Sequence, residues 1–336
     1  MFLEIETKRR MNPAAVQDDG SVITYGELTG FVREMYGVMP ERSLVFIMCK
    51  NKIGAMSGYV ACMSSKIVPL MLDADIDKEL LKNLIEKYQP DYIWMEEDRA
   101  PLRSEHVKNS EADELFRQSA SENASSGGES DLTAEEVNNA KDIELAKDDR
   151  NLGTAAFMEK TPSRLGREVE VTEGVSGEVI VSRYNYELIR LKSEEEIKNL
   201  TRELSDAEIL AGKEPRLHPE LALLLTTSGS TGSPKLVRIS YRNVFVNAAA
   251  IVDYLEIDGF ERAITSLPMA YTYGLSVVNS HLLAGAELLL TDISCTQRGF
   301  WDFFKREKAS SIAGVPYTYE VLDKMKFEKM MLPSLK

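Results

Sequence analysis

Three short apolar runs, set apart by helical patterns, constrain this chain more than any other feature. The runs 43–49 (SLVFIMC), 67–72 (IVPLML) and 91–95 (DYIWM) are too short for core helices and nearly free of polar residues, so they read as strands buried on both faces. Before and between them, 25–36, 53–63 and 77–88 read as helices, the last with Leu80, Leu81, Leu84 and Ile85 along one face. Strands that are joined through helices run parallel, and this order predicts an α/β chain built on a doubly wound parallel sheet. Ahead of the first helix, Thr24 stands three residues before Glu27, the spacing of a capping box.

The pattern stops at Arg99. From there to about Thr172 the chain is rich in Ser, Glu, Asp, Lys and Asn, centred on Ser125-Ser126-Gly127-Gly128-Glu129-Ser130, with few large apolar residues to build a core. It reads as an acidic, disordered insertion, with room for a short amphipathic helix near 134–146. The chain therefore divides into a first α/β subdomain (1–98), the insertion (99–172) and a second α/β subdomain (173–336). In the second, 177–186 alternates like a strand, 193–204 carries the charges of a solvated helix, and 221–225 (LALLL) is a buried strand. Ser240 is placed to cap a helix over 241–254, with Val244, Ala248, Ile251 and Leu255 inward. Further units follow: strand 262–267, a helix to Leu283, strand 286–290, helix 300–306, strand 311–315 and a helix from Pro316.

The strand 221–225 runs straight into Thr226-Thr227-Ser228-Gly229-Ser230-Thr231-Gly232-Ser233-Pro234-Lys235. Gly229 and Gly232 let the backbone turn with its N–H groups inward, the hydroxyls of Thr227, Ser228, Ser230 and Thr231 can donate to phosphate oxygens, and Lys235 adds a mobile positive charge. A polyphosphate ligand accounts for all of these together. A solvated strand-to-strand turn draws on the same residue types. A Walker A site is excluded: the two glycines lie too close together, Pro234 precedes the lysine and Leu236 follows it. Downstream, Pro268-Met269-Ala270-Tyr271-Thr272-Tyr273-Gly274-Leu275 follows the strand 262–267, and its tyrosines read either as pocket-lining or as core aromatics.

Taken with their order, these motifs resemble the adenylate-forming superfamily of acyl-CoA synthetases, aryl-CoA ligases, luciferases and peptide-synthetase adenylation domains. The hydroxyl-rich stretch is similar to that family's [ST]-S-G-[ST]-T-G-x-P-K-G loop at every position but the last, where Leu236 replaces glycine. The resemblance implies that Thr227, Ser228, Gly229, Ser230, Thr231, Gly232 and Lys235 hold the β- and γ-phosphates of ATP, with Thr231 and Lys235 in catalytic roles. A carboxylate then attacks the α-phosphate, giving an acyl-adenylate and pyrophosphate. The segment 268–275 resembles L-P-x-x-H-x-[FY]-G-[LF], which implies an acid pocket at Tyr271, Tyr273 and Gly274, with Tyr271 standing where many relatives carry histidine. Gly314-Val315-Pro316-Tyr317 resembles the x-V-P step beside that pocket, and the opening Ile23 to Leu28 resembles L-T-Y-x-E-L. The implied fold is the large N-terminal domain of these enzymes, incomplete at its C-terminus; the implied cofactors are ATP and Mg²⁺, with coenzyme A or a carrier-protein pantetheine as acyl acceptor.

Composition narrows the partners. A net charge of −14 disfavours nucleic acid and anionic membranes, which need basic surface. Cys49, Cys62 and Cys295 show no C-x-x-C pairing and read as buried thiols, and His281 reads as a packed or partly exposed residue rather than a ligand. Glu4 and Glu6 precede any apolar stretch, and no apolar run approaches the ~20 residues of a membrane span, so a cytoplasmic protein is expected. The family's Y-G-x-T-E motif, ribose-binding aspartate and C-terminal lysine are not found by residue 336. The expectation is an N-terminal fragment of an acid–thiol ligase with little or no activity alone, open to completion by a complementing C-terminal chain. The alternative is a non-catalytic nucleotide-binding relic or subunit.

Overall fold

The computed structural model describes residues 1–97, 165–191, 217–226 and 235–336, all within one compact unit. The stretch 227–234, most of the acidic segment (98–164) and the expected helix 193–204 lie outside the described residues.

The three apolar runs form the strands β3 (Leu44–Cys49), β4 (Val68–Asp73) and β5 (Tyr92–Glu96), separated by the helices α2 (Ile53–Ser64) and α3 (Lys78–Tyr88). Ahead of them lie β1 (Pro13–Gln17), β2 (Val22–Thr24) and α1 (Tyr25–Met35), the helix opened by the Thr24/Glu27 capping box. After the acidic segment come β6 (Glu168–Thr172), β7 (Val175–Arg183), β8 (Tyr186–Leu191), β9 (Leu221–Thr226) and β10 (Leu236–Ser240). The chain then runs through α4 (Tyr241–Leu255), β11 (Arg262–Ile264), α5 (Thr272–Ala284), β12 (Glu287–Leu290), α6 (Arg298–Arg306), β13 (Ser311–Ile312) and α7 (Pro316–Lys324).

Two sheets result. One has eight strands in the order β10-β9-β4-β3-β5-β8-β7-β6, parallel from β9 through β5 and antiparallel on both flanks. The other has five, β13-β11-β12-β1-β2, parallel except at β2. The expected parallel arrangement is thus present at the centre of each sheet, with antiparallel strands added at the edges. Each sheet takes strands from both sides of the acidic segment: β1 pairs with β12, and β4 with β9. The chain division at 98 and 173 is therefore not a division between sheets. The segment 99–172 also ends in a strand, β6, whose register with β7 places Glu168 opposite Glu178.

Side-chain alternation shows how the layers stack. In β3, Val45, Ile47 and Cys49 join one core and Leu44, Phe46 and Met48 another. In β12, Leu288 and Leu290 join the first core and Leu289 a third. The first core holds residues of α1, α2, α4 and α5, the second those of α3, and the third those of α6 and α7. The order is α3, eight-stranded sheet, central helices, five-stranded sheet, then α6 with α7.

Each helix has the composition its layer demands. Central α2 is buried from Ile53 to Met63, whereas outer α3 buries Leu81, Leu84 and Ile85, half-buries Leu80 and Tyr88 at the margins of that face, and exposes most of its polar residues. Outer α6 buries Phe300, Trp301, Phe303 and Phe304. α4 starts at a Ser240/Asn243 capping box as its sequence predicts. Its inward face is narrower than expected: Val244 and Ala248 are buried, Ile251 is half-buried, and Leu255 in the last turn is 60% exposed. Cys49 and Cys62 are buried thiols whose burial raises their pKa, Cys62 to about 12, while Cys295 is only half-buried.

Candidate nucleotide and acid site

The parallel strands of each sheet bring their carboxyl ends to one rim, where ligands of α/β folds bind. β9 ends there at Thr226, and β10 returns antiparallel with Leu236 opposite Thr226. This hairpin closes the two ends of the hydroxyl- and glycine-rich stretch against each other and places Lys235, exposed, at its foot. Thr227, Ser228, Gly229, Ser230, Thr231 and Gly232 lie outside the described residues. Two strands away from β9, at a spacing of about 5 Å per strand, β3 ends beside Lys50, Asn51 and Lys52.

The second motif follows β11. Tyr271 is the N-cap of α5 and is 52% exposed, and Tyr273 in the first turn is 40% exposed. Both present open ring surface, which excludes the reading of them as core aromatics. Gly274 is buried, and a Cβ built on it stands 2.1 Å from the Pro268 carbonyl oxygen. Only a residue without a side chain lets α5 start so close to the loop before it. That same carbonyl accepts the Tyr271 N–H at 3.0 Å, and the Tyr271 carbonyl accepts the Leu275 N–H at 2.9 Å. The loop and helix start are thus one hydrogen-bonded unit.

Asn51 joins this unit to both sheets, and sequence reasoning passed over it. Its side-chain Nδ2 donates to the Thr291 and Leu267 carbonyls at 3.1 and 3.3 Å, and its Oδ1 accepts the Met269 N–H at 3.1 Å. Its backbone N–H donates to Asp292 Oδ1 at 2.9 Å. Nearby, the Gln17 side chain accepts the Ile53 N–H, and Thr291 Oγ1 donates to Asp18 at 2.6 Å. The available sequence signal was a small amide side chain two positions after a wholly apolar strand.

A cavity of about 270 Å³ opens at the same rim of the five-stranded sheet, lined by Asn51, Thr265, Ser266, Asp292 and Thr318 among others. Pro268 and Tyr317 also border it, but Tyr271 and Tyr273 do not. Burial raises the Asp292 carboxyl, opposed by the Asn51 N–H and by the Lys50 and Lys52 charges. His281 is buried in α5 with Nδ1 2.8 Å from the Val277 carbonyl, and burial lowers its pKa.

Comparison with known proteins places this arrangement. A family model described as AMP-binding enzyme matches residues 3–336. Marinolic acid–CoA ligase from Pseudoalteromonas sp. (strain SANK 73390) is 28% identical over 127 residues, 34% of this chain and 19% of that protein. Among solved structures, ATP-bound MatB from Rhodopseudomonas palustris superposes with a TM-score of 0.55 at 17% identity, covering 96% of this chain and 50% of that one. The O-succinylbenzoate coenzyme A synthetase MenE from Bacillus subtilis, in complex with AMP, gives a TM-score of 0.54 at 14% identity, covering 98% of this chain and 65% of that one. These structural likenesses are of fold. The chain spans less than two thirds of each of these relatives.

Proposed function

The chain belongs to the AMP-binding enzyme family, and on that premise we propose that it activates a carboxylic acid with ATP and passes the acyl group to a thiol. An acid oxygen attacks the α-phosphorus, the bond to the bridging oxygen of pyrophosphate breaks, and the mixed anhydride then reacts as an acyl donor. The observation that carries this reading is the β9–β10 hairpin, which closes a hydroxyl- and glycine-rich stretch at the carboxyl rim of parallel strands. Hydroxyls, backbone N–H groups and the Lys235 ammonium are donors suited to phosphate oxygens. In this reading Thr227, Ser228, Gly229, Ser230, Thr231, Gly232 and Lys235 hold the phosphates, and Thr231 and Lys235 bear on the charge that develops during attack. Mg²⁺ fits as an ion carried in by those phosphates, since it binds through phosphate oxygens and retained waters.

In this reading Tyr271, Tyr273 and Gly274 form the acid side of the site: Gly274 draws the first turn of α5 against Pro268, and the two tyrosines of that start are exposed. The acceptor thiol is coenzyme A or a carrier-protein pantetheine. The free cysteines Cys49, Cys62 and Cys295 suit the cytoplasm.

Acid-dependent exchange of labelled pyrophosphate into ATP tests the proposal directly. Lys235→Ala should lower exchange by about 100-fold or more with little effect on folding, because the side chain is exposed. ATP binding with no exchange for any acid, even after addition of a complementing C-terminal chain, would favour the second reading, a nucleotide-binding subunit or relic.

A further inference from the structure

We propose that Asn51 is a positioning residue for the loop before α5, setting where Tyr271 and Tyr273 stand; the consequence for the acid rests on the reading of those tyrosines given above. Its carboxamide holds the Leu267 carbonyl and the Met269 N–H, two groups of one loop spaced as a peptide on an adjoining strand would hold them. The same side chain takes the Thr291 carbonyl after β12, and its backbone N–H takes Asp292. Asn51 itself follows β3 of the other sheet. One buried residue therefore fixes the loop against the carboxyl ends of both sheets.

The consequence travels a short way. Pro268 lies between the two groups that Asn51 holds, and its carbonyl receives the Tyr271 N–H. Gly274 packs on that carbonyl and leaves the helix start no room to compensate for a shift. A displacement at Leu267 or Met269 is thus passed to Tyr271 and to the first turn of α5, which carries Tyr273. The residue type matters as well: asparagine supplies two donors and an acceptor, aspartate keeps only the acceptors, and alanine leaves the Leu267 carbonyl and the Met269 N–H without the bonds Asn51 makes, while the Thr291 carbonyl keeps the Thr265 hydroxyl.

Hydrogen exchange on the full chain, read by mass spectrometry, tests the placement without any ligand. Asn51→Ala should speed exchange at Met269 and Tyr271 by about tenfold or more and leave the central strands β4 and β9 unchanged. Asn51→Asp, which keeps the dimensions and an acceptor for Met269, should fall between the parent and the alanine chain. Unchanged loop protection in both variants overturns the proposal, and so does an equal loss of protection across both sheets, because either result makes Asn51 a structural residue only. Pyrophosphate exchange with acetate, malonate, benzoate and octanoate as probe acids supplies the second reading. Asn51→Ala should raise the half-saturating acid concentration about tenfold or more and leave that for ATP nearly constant, whereas an equal rise in both overturns the positioning role. Absence of exchange in the parent chain counts against acid activation, and the protection pattern then decides Asn51 by itself.

Discussion

Gly274→Ala sets two effects of opposite sign against each other at the start of α5. Intrinsic helix preference favours alanine over glycine by about 1 kcal/mol in a helix interior, and by less in a first turn. Against it stands the contact with the preceding loop, where the added Cβ meets the Pro268 oxygen at 2.1 Å, the Pro268 carbonyl carbon at 2.7 Å and the Leu267 oxygen at 2.9 Å. Real Cβ atoms essentially never approach another heavy atom within 3.0 Å, so loop and helix must separate by about 1 Å. Backbone is harder to displace than a flexible side chain, and this backbone is held by the proline ring and by Asn51 on either side of it. The cost therefore belongs near the upper end of overpacking, about 3 kcal/mol, and the net effect is a loss of about 2 kcal/mol. Urea unfolding followed by the fluorescence of buried Trp94 and Trp301 measures it as a fall in midpoint at constant slope. An alanine chain as stable as the parent, or more stable, would refute the reasoning, since helix preference alone predicts that result.

Two further outcomes follow from the same structure. Ser240→Ala removes the acceptor that receives the Asn243 N–H at 3.2 Å and opens the capping box of α4, for an expected loss of about 1 kcal/mol; a thermal midpoint unchanged from the parent's would count against the cap. Glu287 on β12 is buried with Oε1 unpartnered, and burial holds its carboxyl above the ordinary 4.5 despite the opposing pull of Arg262. Between pH 4.5 and that raised value the folded chain keeps a proton that the unfolded chain has lost, so stability falls as pH rises through the window. Glu287→Gln removes this dependence, and the parent should lose stability relative to the variant from about pH 4.5 upward; a flat difference, or one of opposite sign, would contradict the assignment.

The parts of this fold that could be read from sequence are those whose cause is local. β3, β4 and β5 stand out because strands buried on both faces must be apolar at every position, and Thr24 and Ser240 stand out because a cap acts within three residues. The pairing of β1 with β12 joins Ala15 to Leu288, and nothing within either strand names the other. β6 reads as acidic chain because Glu168 and Glu170 alternate with Val169 and Val171, and it becomes a strand through its partner β7. Leu255 satisfies the helical period of α4 yet lies in the last turn, beyond the packed part of the helix. At the site, Gly274 was legible because a glycine at a helix start marks a close backbone approach, and the structure packs it on the Pro268 carbonyl. Asn51 was not, since three of its partners stand more than 200 positions away: Leu267 (216 apart), Met269 (218) and Thr291 (240).

That contrast bears on how the rim is held together. Apolar burial drives the sheets onto the central helices, but it is non-directional and tolerates small slides of one layer over another. Hydrogen bonds to fixed backbone groups do not tolerate them. Asn51 reaches Leu267, Met269 and Thr291, Gln17 holds the start of α2, and Asp18 takes the Thr291 hydroxyl, all at the carboxyl ends of parallel strands. The polar layer thus sets the register between the sheet that carries the β9–β10 hairpin and the sheet that carries the Tyr271 loop. On the function proposed above, bringing an acid oxygen to the α-phosphorus would need those two loops held to within about 1 Å, because misplacement on that scale costs about a hundredfold in rate. Buried side-chain amides and hydroxyls at the strand ends supply the directional bonds that hydrophobic packing cannot, which is why polar groups are found at this rim while the strand interiors behind them are apolar.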